Sequence, residues 1–332
     1  MLSLSALLLG CSGRGDVPAL APVALTGAGA TFPYPLYRAW FAEYGRRASV
    51  RINYFSVGSG EGIRLLESGE TDFGASDRLV PPAPDARPAS CARIAVPTVR
   101  GPIAIAYSVP QSDTGTPLRF DAALLASIFA GRVTRWDDPA VRALNPHAAL
   151  PSLAITPVHR GRGSGTSRIF GEFLATSARW AYTPRDTGEV RWPTGVTAEG
   201  NEGMAMEVKV RQGAIGYMEL AYARQNRLPV AAIAARDGFH TPGTSGDAYP
   251  IRARTWLVLD PVRTSPDRGA ALVAFILWAM HEGAEQARAL EYIPVPPDTV
   301  ARYDSILRAI DFRACATTAA ASATAAASAR AP

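Results

Sequence analysis

The sequence has few of the residues that carry metal, thiol or lysine chemistry. Among its 332 residues are three cysteines and four histidines, and no Cys-x-x-Cys pair or histidine–cysteine cluster occurs. A zinc site is therefore not expected, and no cofactor is predicted. Lysine is nearly missing as well, because Lys209 is the only one and the other 33 of the 34 basic residues are arginines. Lys209 falls inside a predicted helix, which argues against a phosphate-binding loop of the P-loop type.

Strong charge asymmetry and long apolar runs are missing too. The formal net charge is +5, and the basic residues are scattered rather than gathered in one stretch. This pattern argues against a nucleic-acid partner. Beyond the first residues of the chain no run of about 18 apolar residues occurs, so no membrane-spanning helix is predicted.

The N-terminus is typical of a bacterial lipoprotein. Met1 to Gly10 is apolar and is followed by Cys11, which would be lipidated and become the first mature residue. Residues 1–22 are thus predicted to be a lipoprotein signal and a tether. The alternative is a loose N-terminus with an incidental cysteine. At the other end, residues 314–332 are an Ala- and Ser-rich tail that is predicted to be disordered.

Two cysteines, Cys91 and Cys315, remain in the folded body. A disulfide forms between them in an oxidising compartment only if the fold brings their Cα atoms to a suitable distance. Two unpaired buried thiols are the other interpretation, and the sequence leaves both open.

Three units share a predicted strand, a turn of glycine and small hydroxyl residues, and a predicted helix. The strand and helix pairs are Pro22–Thr26 with Pro35–Arg47, Val50–Ser56 with Ile63–Ser68, and Leu153–Val158 with Ser167–Trp180. Free N–H groups at a helix start, with hydroxyl donors beside them, form a site for an oxyanion. In parallel α/β sheets such turns lie at the carboxyl ends of the strands, where ligands bind.

The candidate donors are Thr31, Ser59 and the Ser164-Gly165-Thr166 stretch, and Arg160 adds a charged fork. Asp77 differs from these donors, because a carboxylate repels an anion unless the anion carries a proton. Phosphate near neutral pH carries a proton and sulfate does not, so sulfate against Asp77 would cost on the order of several kcal/mol. Ordinary helix capping by Thr31 and Ser59, and a cap or turn role for Asp77, are the alternatives.

A catalytic site is not indicated. Ser164 lacks the glycines of the G-x-S-x-G nucleophile elbow. His159 adjoins Arg160 on a predicted strand, and adjacent side chains on a strand point to opposite faces. Phe32 replaces the third glycine of the G-x-G-x-x-G dinucleotide fingerprint. We therefore predict a binding protein and no enzyme.

Six stretches carry a resemblance to a known family. They are LTGAGATFPYPLY (Leu25–Tyr37), VGSGEG (Val57–Gly62), TDFGASD (Thr71–Asp77), RWDDPAVRALNP (Arg135–Pro146), HRGRGSGTS (His159–Ser167) and GAIGYMELAYARQNRL (Gly213–Leu228). In these stretches the chain resembles the phosphate-binding lipoprotein or periplasmic protein of bacterial phosphate ABC transporters. Their order and spacing match over most of residues 25–310. The resemblance implies a type 2 periplasmic binding fold, in which two α/β domains close over one dehydrated phosphate.

The resemblance also implies a binding site and partners. The implied phosphate contacts are Thr31, Phe32 through its backbone, Ser59, Asp77, Arg160, Ser164, Gly165 and Thr166. The implied partners are inorganic phosphate and the permease subunits of an ABC transporter with a cytoplasmic ATPase. The protein would be a periplasmic monomer, held on a membrane by a lipid at Cys11. A phosphatase-like or phosphate-sensing relative, and a binding protein for another oxyanion such as arsenate, are the alternatives.

The expected domain boundaries follow from two crossing segments. The first α/β domain is predicted as residues 23–98 plus 255–313, and the second as residues 99–254. The apolar runs Ile94–Val99 and Ile103–Val109, interrupted by Gly101-Pro102, are predicted to be two strands at the first crossing.

The chain departs from the family pattern at two positions. Arg162 stands where the family usually has an acid that pairs with the site arginine, and Gly60 stands where it often has a second serine. We expect Arg162 either to point to solvent or to add attraction for the anion.

Overall fold

The computed structural model describes residues 23–81, 87–110, 115–177, 180, 190–243 and 248–317. The predicted signal and tether therefore lie outside the described residues, as do residues 318–332 of the predicted tail. The strands within these ranges are β1 (Val23–Gly29), β2 (Val50–Ser56), β3 (Phe73–Ser76), β4 (Ile94–Tyr107), β5 (Arg119–Phe120), β6 (Thr156–Arg160), β7 (Val196–Ala198), β8 (Ala214–Glu219), β9 (Ala232–Ala235), β10 (Gly238–His240), β11 (Arg252–Leu259) and β12 (Ile293–Pro294). The helices are α1 (Tyr34–Arg47), α2 (Ser59–Ser68), α3 (Ala122–Phe129), α4 (Pro139–Leu144), α5 (Gly165–Leu174), α6 (Gly200–Val210), α7 (Leu220–Gln225), α8 (Pro266–His281), α9 (Ala284–Ala289) and α10 (Pro297–Arg308).

One long sheet runs through the molecule in the order β2-β1-β3-β11-β4-β8-β6-β7, and β12 pairs with β4. Residues 94–102 of β4 pair with β11, and residues 103–107 pair with β8. The strand β4 thus divides the sheet into two parts. We call β1, β2, β3, β11, β12 and residues 94–102 the first strand group. We call β6, β7, β8 and residues 103–107 the second strand group. A separate small sheet has the order β10-β9-β5.

Three strands in each group are parallel and are joined by helices. In the first group β1 is parallel to β2 and β3, and in the second β6 is parallel to β7 and β8. Strands β4 and β11 are antiparallel to their neighbours. This α/β arrangement confirms the predicted fold class, and it places the turns before α1, α2 and α5 at carboxyl ends of parallel strands.

Strand β4 corrects one prediction. Two strands interrupted by Gly101-Pro102 were expected, whereas a single strand runs from Ile94 to Tyr107. The ladder continues past Pro102 because the next amide, Ile103 N, donates to Ile251 O at 2.8 Å. Glycine at position 101 serves close packing, since a Cβ there would lie 3.0 Å from the Phe32 ring.

The starts of two helices also differ from the prediction. Helix α2 begins at Ser59 rather than Ile63, so its glycines belong to the first helical turn. Helix α5 begins at Gly165 rather than Ser167 and ends at Leu174, and Ser164 caps it by accepting a hydrogen bond from Ser167 N at 3.1 Å. Strand β6 lies two to three residues later than expected, at Thr156–Arg160. These shifts bring Ser59 and Gly165 onto helix N-termini.

Aromatic side chains fill the core on both sides of the β4 crossing. Around the first strand group Tyr37 of α1, Phe73 of β3 and Phe275 of α8 are fully buried. In the second group the Phe170 ring stacks on the Tyr217 ring at 4.4 Å between centroids. The Tyr217 hydroxyl contacts both Arg160 N and Ser167 Oγ, so these two rings pack behind the stretch from Arg160 to Ser167.

A disulfide joins Cys91 to Cys315, with Cα atoms 5.4 Å apart. Both residues are buried, and the bond closes a loop with a sequence separation of 224 residues. It resolves the alternative that the sequence left open. It also corrects the predicted start of the disordered tail at residue 314, because residues 312–317 are helical and Cys315 is buried where the disulfide holds it.

We expect the double variant Cys91→Ser/Cys315→Ser to unfold at a lower urea concentration than the parent protein. Without the cross-link the unfolded chain gains entropy, and the loss of stability should be about 2–5 kcal/mol. The measurement is urea denaturation followed by circular dichroism. Reductant serves as the control, because it should lower the midpoint of the parent protein and leave that of the double variant unchanged. Equal midpoints for the two proteins in the absence of reductant would contradict the assignment.

Candidate functional site

The structure brings the eight predicted site residues together where the two strand groups meet. Each of them is buried, and the side chains with measured exposure are at most 6% exposed: Thr31, Phe32, Ser59, Asp77, Arg160, Ser164, Gly165 and Thr166. The first four lie in the first strand group, after β1, at the start of α2 and after β3. The other four lie at the end of β6 and the start of α5 in the second group. The site is therefore built from two opposed walls.

Arg160 extends from the second wall to the first. Its Nη1 donates to Thr31 Oγ1 at 3.1 Å, and its backbone N–H donates to the Tyr217 hydroxyl at 3.0 Å. Its Nε is buried and finds no hydrogen-bond partner among the residues that the structure describes. A buried guanidinium N–H without a partner is costly. It marks a place where an acceptor oxygen would be stabilised.

Asp77 contributes a hydrogen-bond acceptor to the site, whereas Arg160 contributes a donor. Its backbone N–H donates to Ser59 Oγ at 3.1 Å, and its Oδ2 accepts a long hydrogen bond from Thr166 Oγ1 at 3.4 Å. Its Oδ1 is buried without a hydrogen-bond partner in the described part of the chain. Burial raises the pKa of Asp77 to about 7, although the Thr255 hydroxyl, the Arg160 charge and the Thr166 hydroxyl each lower it.

The walls approach so closely that only glycine fits at position 165. A Cβ on Gly165 would lie 2.6 Å from the Asp77 Cβ and 2.9 Å from Ser59 Oγ. Beside it the backbone N–H of Gly60 donates to the carbonyl of Gly163 at 3.0 Å. The two walls are therefore in direct contact, and the space between them is closed to bulk water.

Arg162 is exposed, which is one of the two outcomes expected for it. Within the described ranges Arg160 Nε has no hydrogen-bond partner, so no acceptor there takes the place of the missing acid. His159 is half-buried and stacks on the Trp192 ring at 5.6 Å between centroids, with its pKa lowered by burial. It packs behind the site, as its position on the strand predicted.

Sequence reasoning missed several residues that complete the walls. The Tyr217 hydroxyl accepts from Arg160 N, and it also lies 2.6 Å from Ser167 Oγ. Asn201 and Tyr222 reach from the second wall to Thr31. The stretch Gly200-Asn201-Glu202-Gly203 is typical of a helix start, and this local signal could have pointed to Asn201.

The arrangement suits binding of a small oxyanion that has both an acceptor oxygen and an O–H group. The donor left unpaired within the described ranges is a charged guanidinium, and the acceptor left unpaired there is a carboxylate oxygen. The N-termini of α2 and α5 add positive partial charge. Within the described residues no group of three or more His, Cys, Asp or Glu could hold a metal ion. None of the helices in these ranges combines the length and apolar character needed to cross a membrane.

Comparison with known proteins points to one family. Residues 16–280 match the model of the PBP superfamily domain. The chain is 33% identical over 319 residues to the phosphate-binding protein PstS of Haemophilus influenzae, a match that covers 88% of this chain and 94% of that protein. Two solved structures have the same fold. The phosphate-binding protein of Stenotrophomonas maltophilia is 18% identical, with a TM-score of 0.64 and coverage of 85% of this chain and 93% of that one. An ABC-type phosphate transport receptor of Vibrio cholerae is 16% identical, with a TM-score of 0.55 and coverage of 82% and 100%.

We expect the unfolding free energy of the anion-free protein to fall, relative to that of Asp77→Asn, as the pH rises through about 7. The ordinary pKa of this carboxyl is 3.8 and its folded value is about 7, so between these values the folded state holds a proton that the unfolded state has released. The resulting stabilisation is fully present at pH values below 3.8 and is lost as the pH rises through about 7. Its size is at most about 4 kcal/mol.

The measurement is urea denaturation of both proteins in oxyanion-free buffers at about pH 4.5, 6 and 8. Glu219 is also buried, and burial raises its pKa to about 8. It is present in both proteins, so its contribution cancels in the difference. A difference in unfolding free energy that stays constant with pH would show that Asp77 titrates normally.

Proposed function

The chain belongs to the PBP superfamily and, within it, to the family of the PstS phosphate-binding proteins, and from this premise we propose that it captures inorganic phosphate outside the cytoplasmic membrane and delivers it to the permease of an ABC transporter. One observation carries the proposal. Two buried groups of the site lack hydrogen-bond partners among the described residues, the donor Arg160 Nε and the acceptor Asp77 Oδ1. A singly protonated phosphate matches both, because it offers acceptor oxygens and one P–OH.

Asp77 then acts as the group that selects the anion. At pH values above its pKa of about 7 the carboxylate accepts the phosphate proton. Sulfate has no proton to give, so the two negative groups would face each other unpaired in a dry site. Arg160 and the helix N-termini bind the remaining oxygens. The protein binds the anion and carries out no chemical step.

We further propose that the two strand groups are the cores of the two predicted domains, and that these domains open and close around phosphate. The wall contacts from Gly60 to Gly163 and from Arg160 to Thr31 would form on closure. The closed form would be recognised by the permease, which is driven by a cytoplasmic ATPase. In this scheme the protein is a periplasmic monomer attached to a membrane through a lipid on Cys11, which lies outside the described residues.

Arsenate is the second candidate ligand, because it too carries a proton near neutral pH and satisfies the same two unpaired groups. The phosphatase-like and phosphate-sensing alternatives have no comparable support. The relative at 33% identity is named as a binding protein. Absence of turnover of a chromogenic phosphate ester would separate binding from hydrolysis.

We expect phosphate to bind saturably at about pH 8.5 while sulfate gives no heat of binding. At about pH 5 the protonated Asp77 carboxyl can donate to a sulfate oxygen, so weak sulfate binding should appear. In Asp77→Asn the amide donates at every pH, and sulfate binding should become independent of pH. Isothermal titration calorimetry with phosphate, arsenate and sulfate measures these differences.

Asp121→Asn is the matched control for this experiment. Asp121 caps α3 by accepting from Leu124 N at 2.7 Å, and asparagine caps equally well. It should keep the parent selectivity. The absence of any heat with phosphate, or equal binding of sulfate at about pH 8.5, would refute the proposed function. A variant Asp77→Asn that still rejects sulfate would refute the role given to Asp77.

A second prediction concerns the fit of the walls. Gly165→Ala should weaken phosphate binding by at least about tenfold, because its methyl group would hold the walls apart at Asp77 and Ser59. Calorimetry measures the affinity and circular dichroism the fold. Gly203→Ala is the control, since its Cβ would meet no atom closer than 3.7 Å in the structure. Parent-like affinity in Gly165→Ala would show that the walls do not need this contact.

A further inference from the structure

We propose that Asn201 is a positioning residue for the bound anion, because it fixes the Thr31 hydroxyl as a hydrogen-bond donor to the ligand. The inference rests on the proposed function, since it assigns a role in anion binding. Asn201 touches Thr31 and acts through it.

The orientation of the Asn201 amide is set by its surroundings. Asn201 lies in the first turn of α6 and is fully buried. Its Oδ1 accepts from the backbone N–H of Glu219 at 3.0 Å. Because a backbone N–H can only donate, the oxygen of the amide must face Glu219, and the Nδ2 group must face Thr31. The Nδ2 group donates to Thr31 Oγ1 at 2.7 Å.

Thr31 Oγ1 is surrounded by donors. It accepts from Asn201 Nδ2, from the Asn201 backbone N–H at 3.2 Å, and from Arg160 Nη1 at 3.1 Å. A hydroxyl has two lone pairs and one hydrogen, so these three N–H groups use all of its acceptor capacity. Only the hydrogen of Thr31 remains, and the hydroxyl can serve a ligand only as a donor.

This arrangement determines where the proton of the ligand lies. The oxygen facing Thr31 must accept a hydrogen bond, whereas the oxygen facing Asp77 Oδ1 must carry the proton and donate a hydrogen bond. Thr31 and Asp77 would therefore bind the anion in one orientation. An anion that had to present an O–H to both walls would be rejected.

The same contacts link the orientation of the Thr31 hydroxyl to the closing of the two walls. Asn201 belongs to the second wall and Thr31 to the first, so the amide reaches the hydroxyl only when the walls are in contact. A second contact from the same wall holds the backbone, since the Tyr222 hydroxyl donates to the Thr31 carbonyl at 2.7 Å. Closing thus orients a donor for the anion, and the anion in turn stabilises the closed form.

The test is a double-mutant cycle on phosphate affinity, measured by calorimetry on the full chain at about pH 8. We expect Asn201→Ala to weaken phosphate binding about tenfold in the parent background, the amount associated with losing one oriented hydrogen bond. In the Thr31→Val background, where no hydroxyl remains to orient, the same change should cost less than about twofold. Thr31→Ser keeps the hydroxyl and is the matched background, in which the tenfold loss should return.

A purely structural role would give a different pattern. It would lower affinity by the same factor in the valine and serine backgrounds, and that result would overturn the inference, as would an unchanged affinity in Asn201→Ala. If Asn201→Ala fails to fold, Asn201→Asp carries the same cycle, because it keeps an acceptor for Glu219 N–H and replaces the donor toward Thr31 by an acceptor. The negative charge that it adds weakens phosphate binding in all three backgrounds, so the cycle cancels that contribution. A parent protein without phosphate heat would overturn the proposed function and this inference together. If the parent protein binds phosphate but the substitutions at positions 201 and 31 act independently on the affinity, this inference alone would be overturned.

Discussion

A carboxylate and a guanidinium are buried in the same small space without forming an ion pair with each other. Separately, each would cost several kcal/mol to remove from water. Asp77 is held by its backbone bond to Ser59 and by Thr166, and Arg160 by Thr31 and Tyr217. Neither set of contacts satisfies its residue completely. The raised pKa of Asp77 reflects the same cost, because burial favours the protonated form. A bound oxyanion can satisfy the hydrogen-bonding groups that remain unpaired on the two residues. The tight contacts between the walls exclude the water that would otherwise satisfy them.

The sheet topology explains why these two groups can meet. Parallel strands in each group end at the cleft, so the turns that follow them deliver hydroxyls, amides and helix N-termini to one place. The two antiparallel strands β4 and β11 connect the groups through the middle of the sheet. Aromatic clusters behind each wall, such as Phe170 against Tyr217, keep the donors in fixed positions. The proposed specificity would therefore come from side chains whose geometry is set by packing on both sides of the crossing.

The sequence allowed much of this structure to be predicted, and the limits have physical causes. The strand–turn–helix units, the α/β class and the eight residues that cluster at the site follow from local patterns and from the family resemblance. Helix starts were misplaced by a few residues, because glycines that look like a turn can occupy the first turn of a helix. The contacts of Asn201 and Tyr222 with Thr31 join residues 170 and 191 positions apart, and no local pattern encodes them. The same holds for the pairing of Cys91 with Cys315, and for the pKa of Asp77, which depends on burial.

The chain passes between the strand groups at two places that are neighbours in one ladder. Pro102 of β4 lies opposite Arg252 of β11, and Ile103 N donates to Ile251 O at 2.8 Å. Two connections joined in this way act as one ribbon that can flex but cannot shear or rotate independently. If the groups move as the proposed domains, their relative motion is confined to bending and twisting of this ribbon. Spectroscopic labels placed across the cleft would then have to follow both movements.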